Sequence, residues 1–275
     1  MAAALALTLA LGGCSGLGFL YSNADWLATQ YLASFADLDA PQSDHLHKQL
    51  STLHRWHRAE ELPHYARIVA SADQMVADGL TEEGLDQLFK SSQHRISVFG
   101  ERFARALAPV LATLRPPQID TLEAVLGERN VDAVETYASP DDETRLGARR
   151  ERVLERVEDW TGTLNAEQRR HLAVATDALP DKAALWLEYR QRREKELVRL
   201  MRRDLNSKDV PQFLSSWLSG KLRRPSELMD YRQAMRMRMA ALIRRLDAIA
   251  TPEQRASVRG ELADYRELIN SFVTE

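Results

Sequence analysis

Five of the seven histidines fall within twenty residues, at His45, His47, His54, His57 and His64. His54 and His57 are three apart, so on a helix they are neighbours on one face. Such a pair can ligate zinc or copper if a third ligand arrives from elsewhere. His47 lies two turns from His54, about 10 Å along a helix axis, too far to share one ion. The other reading is packing: the histidines flank Leu46, Leu50 and Leu53, half-buried and hydrogen-bonded, where a titrating imidazole would also sense pH. No HExxH, GxSxG, Walker A or GxGxxG pattern occurs, so the residues argue for a non-catalytic protein without a cofactor.

The only cysteine, Cys14, follows Leu11-Gly12-Gly13, and residues 2–11 read AAALALTLAL. Ten apolar or small residues are too few to span a bilayer as a helix, which needs about 20. They match the apolar core of a signal peptide, roughly 7–15 residues long. LGGC resembles the bacterial lipobox, in which the cysteine thiol receives a diacylglyceryl group. The resemblance implies a signal peptide at 1–13, cleavage before Cys14 and an acylated N-terminus, and two or more acyl chains anchor stably. Ser15 rather than Asp follows, which by the lipoprotein sorting pattern implies the outer membrane, periplasmic face. No Lys or Arg precedes the apolar run, a departure from the usual signal peptide. With its thiol acylated, the cysteine leaves no intramolecular disulfide.

The third cluster is Tyr189-Arg-Gln-Arg-Arg-Glu-Lys-Glu196, a run of polar residues after Tyr189 within a helix that is otherwise apolar at Trp186, Leu187, Leu197, Leu200 and Met201. Arg190, Arg192, Arg193, Arg199, Arg202 and Arg203 form a basic flank. It either contacts an anion or a partner, or pairs with itself through i,i+4 ions such as Arg190–Glu194 and Arg192–Glu196. Charge divides along the chain. Residues 14–143 hold 10 Lys/Arg against 20 Asp/Glu, and residues 144–275 hold 27 against 20. Either the acidic N-terminal half and the basic, Arg-rich C-terminal half pack together as one unit, or the basic half faces an anionic partner. The total of −3 makes no case for nucleic acid.

The elements that must position these residues read as helices throughout. At 44% hydrophobic and 28% charged, the chain can bury a core; no segment sustains period-2 alternation, and apolar residues recur at three and four. Leu228, Tyr231, Met235, Met239, Leu242, Leu246 and Ile249 stripe one face over six turns, as core. A short signature recurs at helix starts: Leu38-Asp-Ala-Pro-Gln42, Leu80-Thr-Glu-Glu-Gly84, Leu114-Arg-Pro-Pro-Gln118, Leu164-Asn-Ala-Glu-Gln168, Leu205-Asn-Ser-Lys-Asp209 and Ala250-Thr-Pro-Glu-Gln254. Asp39, Thr81, Asn165, Asn206 and Thr251 suit N-caps, and Gln42, Gln168 and Gln254 suit the return bond of a capping box. Breaks are expected at Pro41, Pro63, Pro116-Pro117, Pro140, Pro180 and Pro225, with 139–143 the best mid-chain boundary. The prediction is an all-α fold of about eleven or twelve helices in stacked antiparallel pairs or bundles.

Tyr21-Ser-Asn-Ala-Asp25-Trp26-Leu27, then Leu38–Gln42, then Trp56-His57-Arg58 with Glu61-Leu-Pro63 and Tyr65, resemble an uncharacterised family of proteobacterial helical lipoproteins. The resemblance spans the mature chain, including Trp160 with Leu164–Gln168. It implies an envelope lipoprotein and assigns no activity, so Asp25, Trp26, Trp56, His57, Arg58, Glu61 and Tyr65 are motif positions of unknown role. Read from the residues, they form a Trp-anchored helix junction with an Arg58–Glu61 or Arg58–Glu60 ion pair. Leu164–Gln168 and Ala250–Gln254 are also similar to the LTxxQ motif of small periplasmic helical chaperones, which implies an envelope protein or unfolded client as partner. The expected function is a lipid-anchored, periplasm-facing binding scaffold or chaperone-like module; a metal-binding protein using His54 and His57, or a purely structural tether, are the alternatives.

Overall fold

The computed structural model describes residues 14–138 and 141–274. The expected signal peptide, Ser139 and Pro140 lie outside the described residues. The described chain is all-α, with no strand. In order the helices are α1 (Cys14–Ser22), α2 (Ala24–Ala33), α3 (Ala40–Trp56), α4 (Leu62–Asp78), α5 (Glu82–Leu111) and α6 (Pro116–Tyr137). Then come α7 (Asp142–Thr161), α8 (Ala166–Asp177), α9 (Ala183–Arg203), α10 (Asp209–Leu218), α11 (Ser226–Ile249) and α12 (Pro252–Thr274).

The recurring signature does more than start helices. In α3, Asp39 Oδ1 accepts from the Gln42 N–H at 3.0 Å, and Gln42 Oε1 accepts from the Asp39 N–H at 3.1 Å. Gln118, Gln168 and Gln254 likewise accept from the N–H groups of Arg115, Asn165 and Thr251. The four glutamines then pair. The amides of Gln42 and Gln118 exchange bonds of 3.1 and 2.7 Å, and those of Gln168 and Gln254 exchange bonds of 2.7 and 3.1 Å. Each amide also donates to the carbonyl five residues before its partner: Gln42 to Thr113, Gln118 to Asp37, Gln168 to Ile249 and Gln254 to Thr163. All four glutamines are buried. The signature is therefore a paired clasp that joins two helix N-termini, once between α3 and α6 and once between α8 and α12. Asn206 departs from the expectation. The helix after it starts at Asp209, whose N–H bonds to Ser207 Oγ, while the Asn206 N–H bonds to Asp204 Oδ1.

Polar contacts between the two stretches mark the register of three further helix pairs. Arg58 donates to the Phe272 carbonyl at one end of α12, and Asp73 meets Arg259 near the other, so α4 and α12 run antiparallel. Asp86–Arg236 and Glu82–Arg244 place α5 antiparallel to α11. Asn130–Arg190 and Asp120–Arg202 do the same for α6 and α9. Every one of these pairs joins the acidic stretch to the basic one. Within the stripe expected on α11, Leu228 and Leu242 are buried, and Met239 and Leu246 pack on Leu164 and Leu172.

Pro63 does not end a helix. The chain passes from α3 to α4 through one π turn at His57–Glu61, closed by the Leu62 N–H to the His57 carbonyl. In a straight α-helix the Pro63 ring would collide with the carbonyl of Ala59. The wider turn removes that collision and keeps the axis continuous. At Gly100 the backbone of α10 comes so close that an added Cβ would stand 2.2 Å from the Leu218 carbonyl oxygen.

Two stability outcomes are expected. Gln168→Ala and Gln254→Ala each strand buried partners, which costs about 1–3 kcal/mol. The double variant loses less than the sum of the singles in a urea-unfolding cycle, because the two amides act as one unit. Gly100→Ala, by contrast, overpacks against immovable backbone and lowers the urea midpoint by an amount worth about 1–3 kcal/mol.

Candidate functional site

The motif residues from the first helices gather around the π turn. Tyr21 of α1 lies between the two histidines: its ring is 4.9 Å from His54 and 5.8 Å from His57, and its hydroxyl shares a 2.8 Å hydrogen bond with His57 Nδ1. Tyr65, Phe99 and Trp56 surround the His57 imidazole edge-on. Burial in this aromatic box pushes the His57 pKa down to about 4, with repulsion from His54 adding to it. Burial likewise raises the Tyr21 hydroxyl, and holds Tyr65 up at about 12. The two tyrosines and His57 are thus neutral at pH 7.

Asp25 accepts from the Ser51 hydroxyl and from the Trp26 N–H, and stands 3.9 Å from His54 Nδ1. His54 Nε2 is buried with no hydrogen-bond partner. Among the described residues no group of three His, Cys, Asp or Glu side chains converges as metal ligands. His47 turns to Thr29 at 3.4 Å and His64 to Arg67 at 2.7 Å.

Among the described residues the expected Arg58–Glu61 or Arg58–Glu60 pair is not found, and both glutamates have other partners. The π turn rotates the three side chains apart. Arg58 reaches the Phe272 carbonyl at 3.1 Å, and Glu60 accepts from Trp56 Nε1 at 2.9 Å, with Arg102 over the indole at 4.8 Å. Glu61 is 1% exposed and faces Arg95 at 3.4 Å, while its Oε1 has no hydrogen-bond partner. Burial raises its pKa against the pull of Arg95. Beside it, α4 and α5 flank a polar groove of about 330 Å³ at His64, Arg67, His94 and Arg95.

The basic flank of α9 is largely spent within the molecule. Arg190 bonds to Asn130 and pairs with Glu194, as expected; Arg192 turns back to Glu188 instead of Glu196, which takes Arg199. Arg202 bridges Asp120 and Glu123, Arg203 takes Asp209, and Arg193 lies over Tyr189. Trp26, Leu27 and Tyr31 are exposed on α2, and Phe19 and Leu20 are exposed on α1. The backbone of Cys14 opens α1.

A second space carried no signal in the motifs. An apolar cavity of about 330 Å³ lies between α2, α3, α5, α6, α9 and α10. Phe35, Leu46, Leu107, Leu122 and Leu214 give its walls, and its charged lining comes from α9, from Arg224 just before α11 and from Arg232 within α11. Its residues are spread over 200 positions of sequence, so no local pattern marks it. Leu38 and Leu114, which precede the caps of the first glutamine clasp, are the one trace.

The His57 environment has a signed pH consequence. A base whose pKa is lower folded than unfolded contributes fully above its ordinary value of 6.5 and loses that contribution as pH falls toward about 4. Between pH 7 and pH 4.5 the wild type is expected to lose up to about 2 kcal/mol more unfolding free energy than a His57→Gln variant. Paired urea titrations at the two pH values measure the difference.

No curated protein and no solved structure matches the chain. No described helix is long and apolar enough to cross a membrane. A family described as "Family of unknown function (DUF6279)" matches residues 34–230, which takes in the first glutamine clasp, the π turn and the cavity walls from Phe35 to Leu218. The chain therefore belongs to the DUF6279 family.

Proposed function

We propose that the protein is a lipid-anchored envelope lipoprotein, facing the periplasm from the outer membrane, that works by binding rather than by catalysis. The observation that carries the binding role is the apolar cavity. A well-packed interior holds few voids larger than a water molecule. A space of about 330 Å³ walled by leucine and phenylalanine falls at the lower end of ligand pockets, which run from about 300 to 1,000 Å³. That space admits a small apolar ligand, and a length of unfolded chain exceeds it. The role is thus a small-ligand binding module in preference to a client-holding chaperone.

The anchor rests on LGGC at 11–14 and on the exposed apolar residues just beyond it. Phe19, Leu20, Trp26 and Leu27 are exposed, and no Lys or Arg occurs between Cys14 and Ala40. Aromatic and aliphatic side chains of this kind sit well at a membrane interface. A bilayer beside the acylated end would cover them.

Cells fed radiolabelled palmitate are expected to label the wild type and leave Cys14→Ala unlabelled; an unlabelled wild type overturns the anchor. For the cavity, the neutral dye N-phenyl-1-naphthylamine is expected to brighten saturably with purified protein. Ala36→Leu, which pushes bulk into the cavity, is expected to weaken that binding about tenfold or more. An unchanged signal in the filled variant overturns the binding role.

A further inference from the structure

The polar lining of the cavity is lopsided. It contains three guanidiniums, Arg190, Arg224 and Arg232, and one carboxylate, Glu194. Arg190 and Glu194 neutralise each other: they stand 3.4 Å apart, and both bond to the buried Asn130. That leaves Arg224 and Arg232. Among the described residues neither has a carboxylate partner. Arg224 donates to the Gly220 carbonyl at 2.9 Å, a bond that positions the group and leaves its charge unmet. Arg232 lines the cavity with much of its side chain exposed to solvent. Packing around the rest, followed by repulsion from Arg224, holds its pKa below the ordinary arginine value.

Other arginines of the C-terminal half meet acids across the helix pairs: Arg202 meets Asp120 and Glu123, Arg244 meets Glu82, and Arg259 meets Asp73. Arg224 and Arg232 instead border the apolar space. Two adjacent guanidiniums repel, and the repulsion is strongest where water is partly excluded. An anion between them removes the cost, and a planar guanidinium suits a carboxylate or phosphate because it can bond through two nitrogens at once. The charges border an apolar space, so the anion that satisfies them and fills the cavity carries a hydrocarbon tail.

We propose that the cavity binds a single-chain anionic amphiphile, its alkyl tail between Phe35, Leu107 and Leu214 and its acidic headgroup held by Arg224 and Arg232. The occupant is a fatty acid in which one carboxylate meets the two arginines. The volume fits a medium-length chain: about 330 Å³ is the share of roughly eleven waters at ~30 Å³ each. This proposal rests on the binding role assigned to the cavity above.

Trp186 and Trp217 line the cavity, so a tail brominated near its end reports binding by quenching their fluorescence. Purified chain lacking residues 1–14 is titrated with brominated dodecanoic acid at pH 8, with the matching dodecanol and with the dodecyltrimethylammonium ion. The expected order is dodecanoate, then dodecanol at about tenfold weaker affinity, then the cation. In Arg224→Gln/Arg232→Gln the preference of dodecanoate over dodecanol is expected to fall to near one. Retained dodecanol quenching in that variant shows that the cavity is still folded. Equal affinities in the wild type, or a preference that survives the double substitution, overturn the headgroup assignment while leaving the apolar site standing. Absence of quenching by all three ligands overturns the apolar site with it. A wild type that prefers the cation overturns the charge argument alone.

Discussion

A buried primary amide has to be met on both its oxygen and its nitrogen, and two such amides facing each other leave almost no freedom for what carries them. The reciprocal glutamine pairs impose that constraint twice, at Gln42–Gln118 and at Gln168–Gln254. Each glutamine closes its own helix start and also fastens a carbonyl just before the partner helix. Sliding either helix by one residue would strand several buried polar groups together. Hydrophobic contact alone tolerates such slippage, because it is non-directional; the clasps do not.

Other features take their places from these fixed starts. With α3 held against α6, the leucines that precede the two caps, Leu38 and Leu114, face the apolar cavity. Beyond the clasp, α3 runs straight to Trp56. The π turn then lets Pro63 follow without ending the helix, so Tyr65 returns to His57 and α4 lies along α12. The second clasp plays the same part for the C-terminal half. The order of signatures there, at Leu164, Leu205 and Ala250, repeats the order at Leu38, Leu80 and Leu114, with the clasping glutamine in the first and third members each time.

Charge acts on top of this frame. The ion pairs that cross between halves are mostly exposed, and each contributes little by itself. Their value is in register: Asp86–Arg236 with Glu82–Arg244, or Asp73–Arg259 opposite Arg58–Phe272, permit one antiparallel alignment and penalise others. Two arginines without a carboxylate partner among the described residues border the apolar cavity. Arg224 and Arg232 stand where water and hydrocarbon meet.

Much of the fold was legible in the residues. The period of three to four, the proline and cap punctuation and the stripe on α11 all act over one or two turns, and local geometry follows from local chemistry. The capping role of Gln42, Gln168 and Gln254 was equally local. Their pairing was not, because it joins positions more than 70 apart, and a capping box reads the same with or without a partner. The same limit hid the destinations of Arg58 and Glu61. Spacing offered a neighbourly ion pair, but the π turn rotates them to Phe272 and Arg95. The cavity was hidden most completely, being the space left where six helices fail to fill one another. Sequence determined which segments are helices, where most of them begin and which half carries which charge. Only the tertiary structure decided which of those helices meet, which polar groups they leave unanswered and where the empty volume lies, because those properties belong to distances between segments and not to any segment alone.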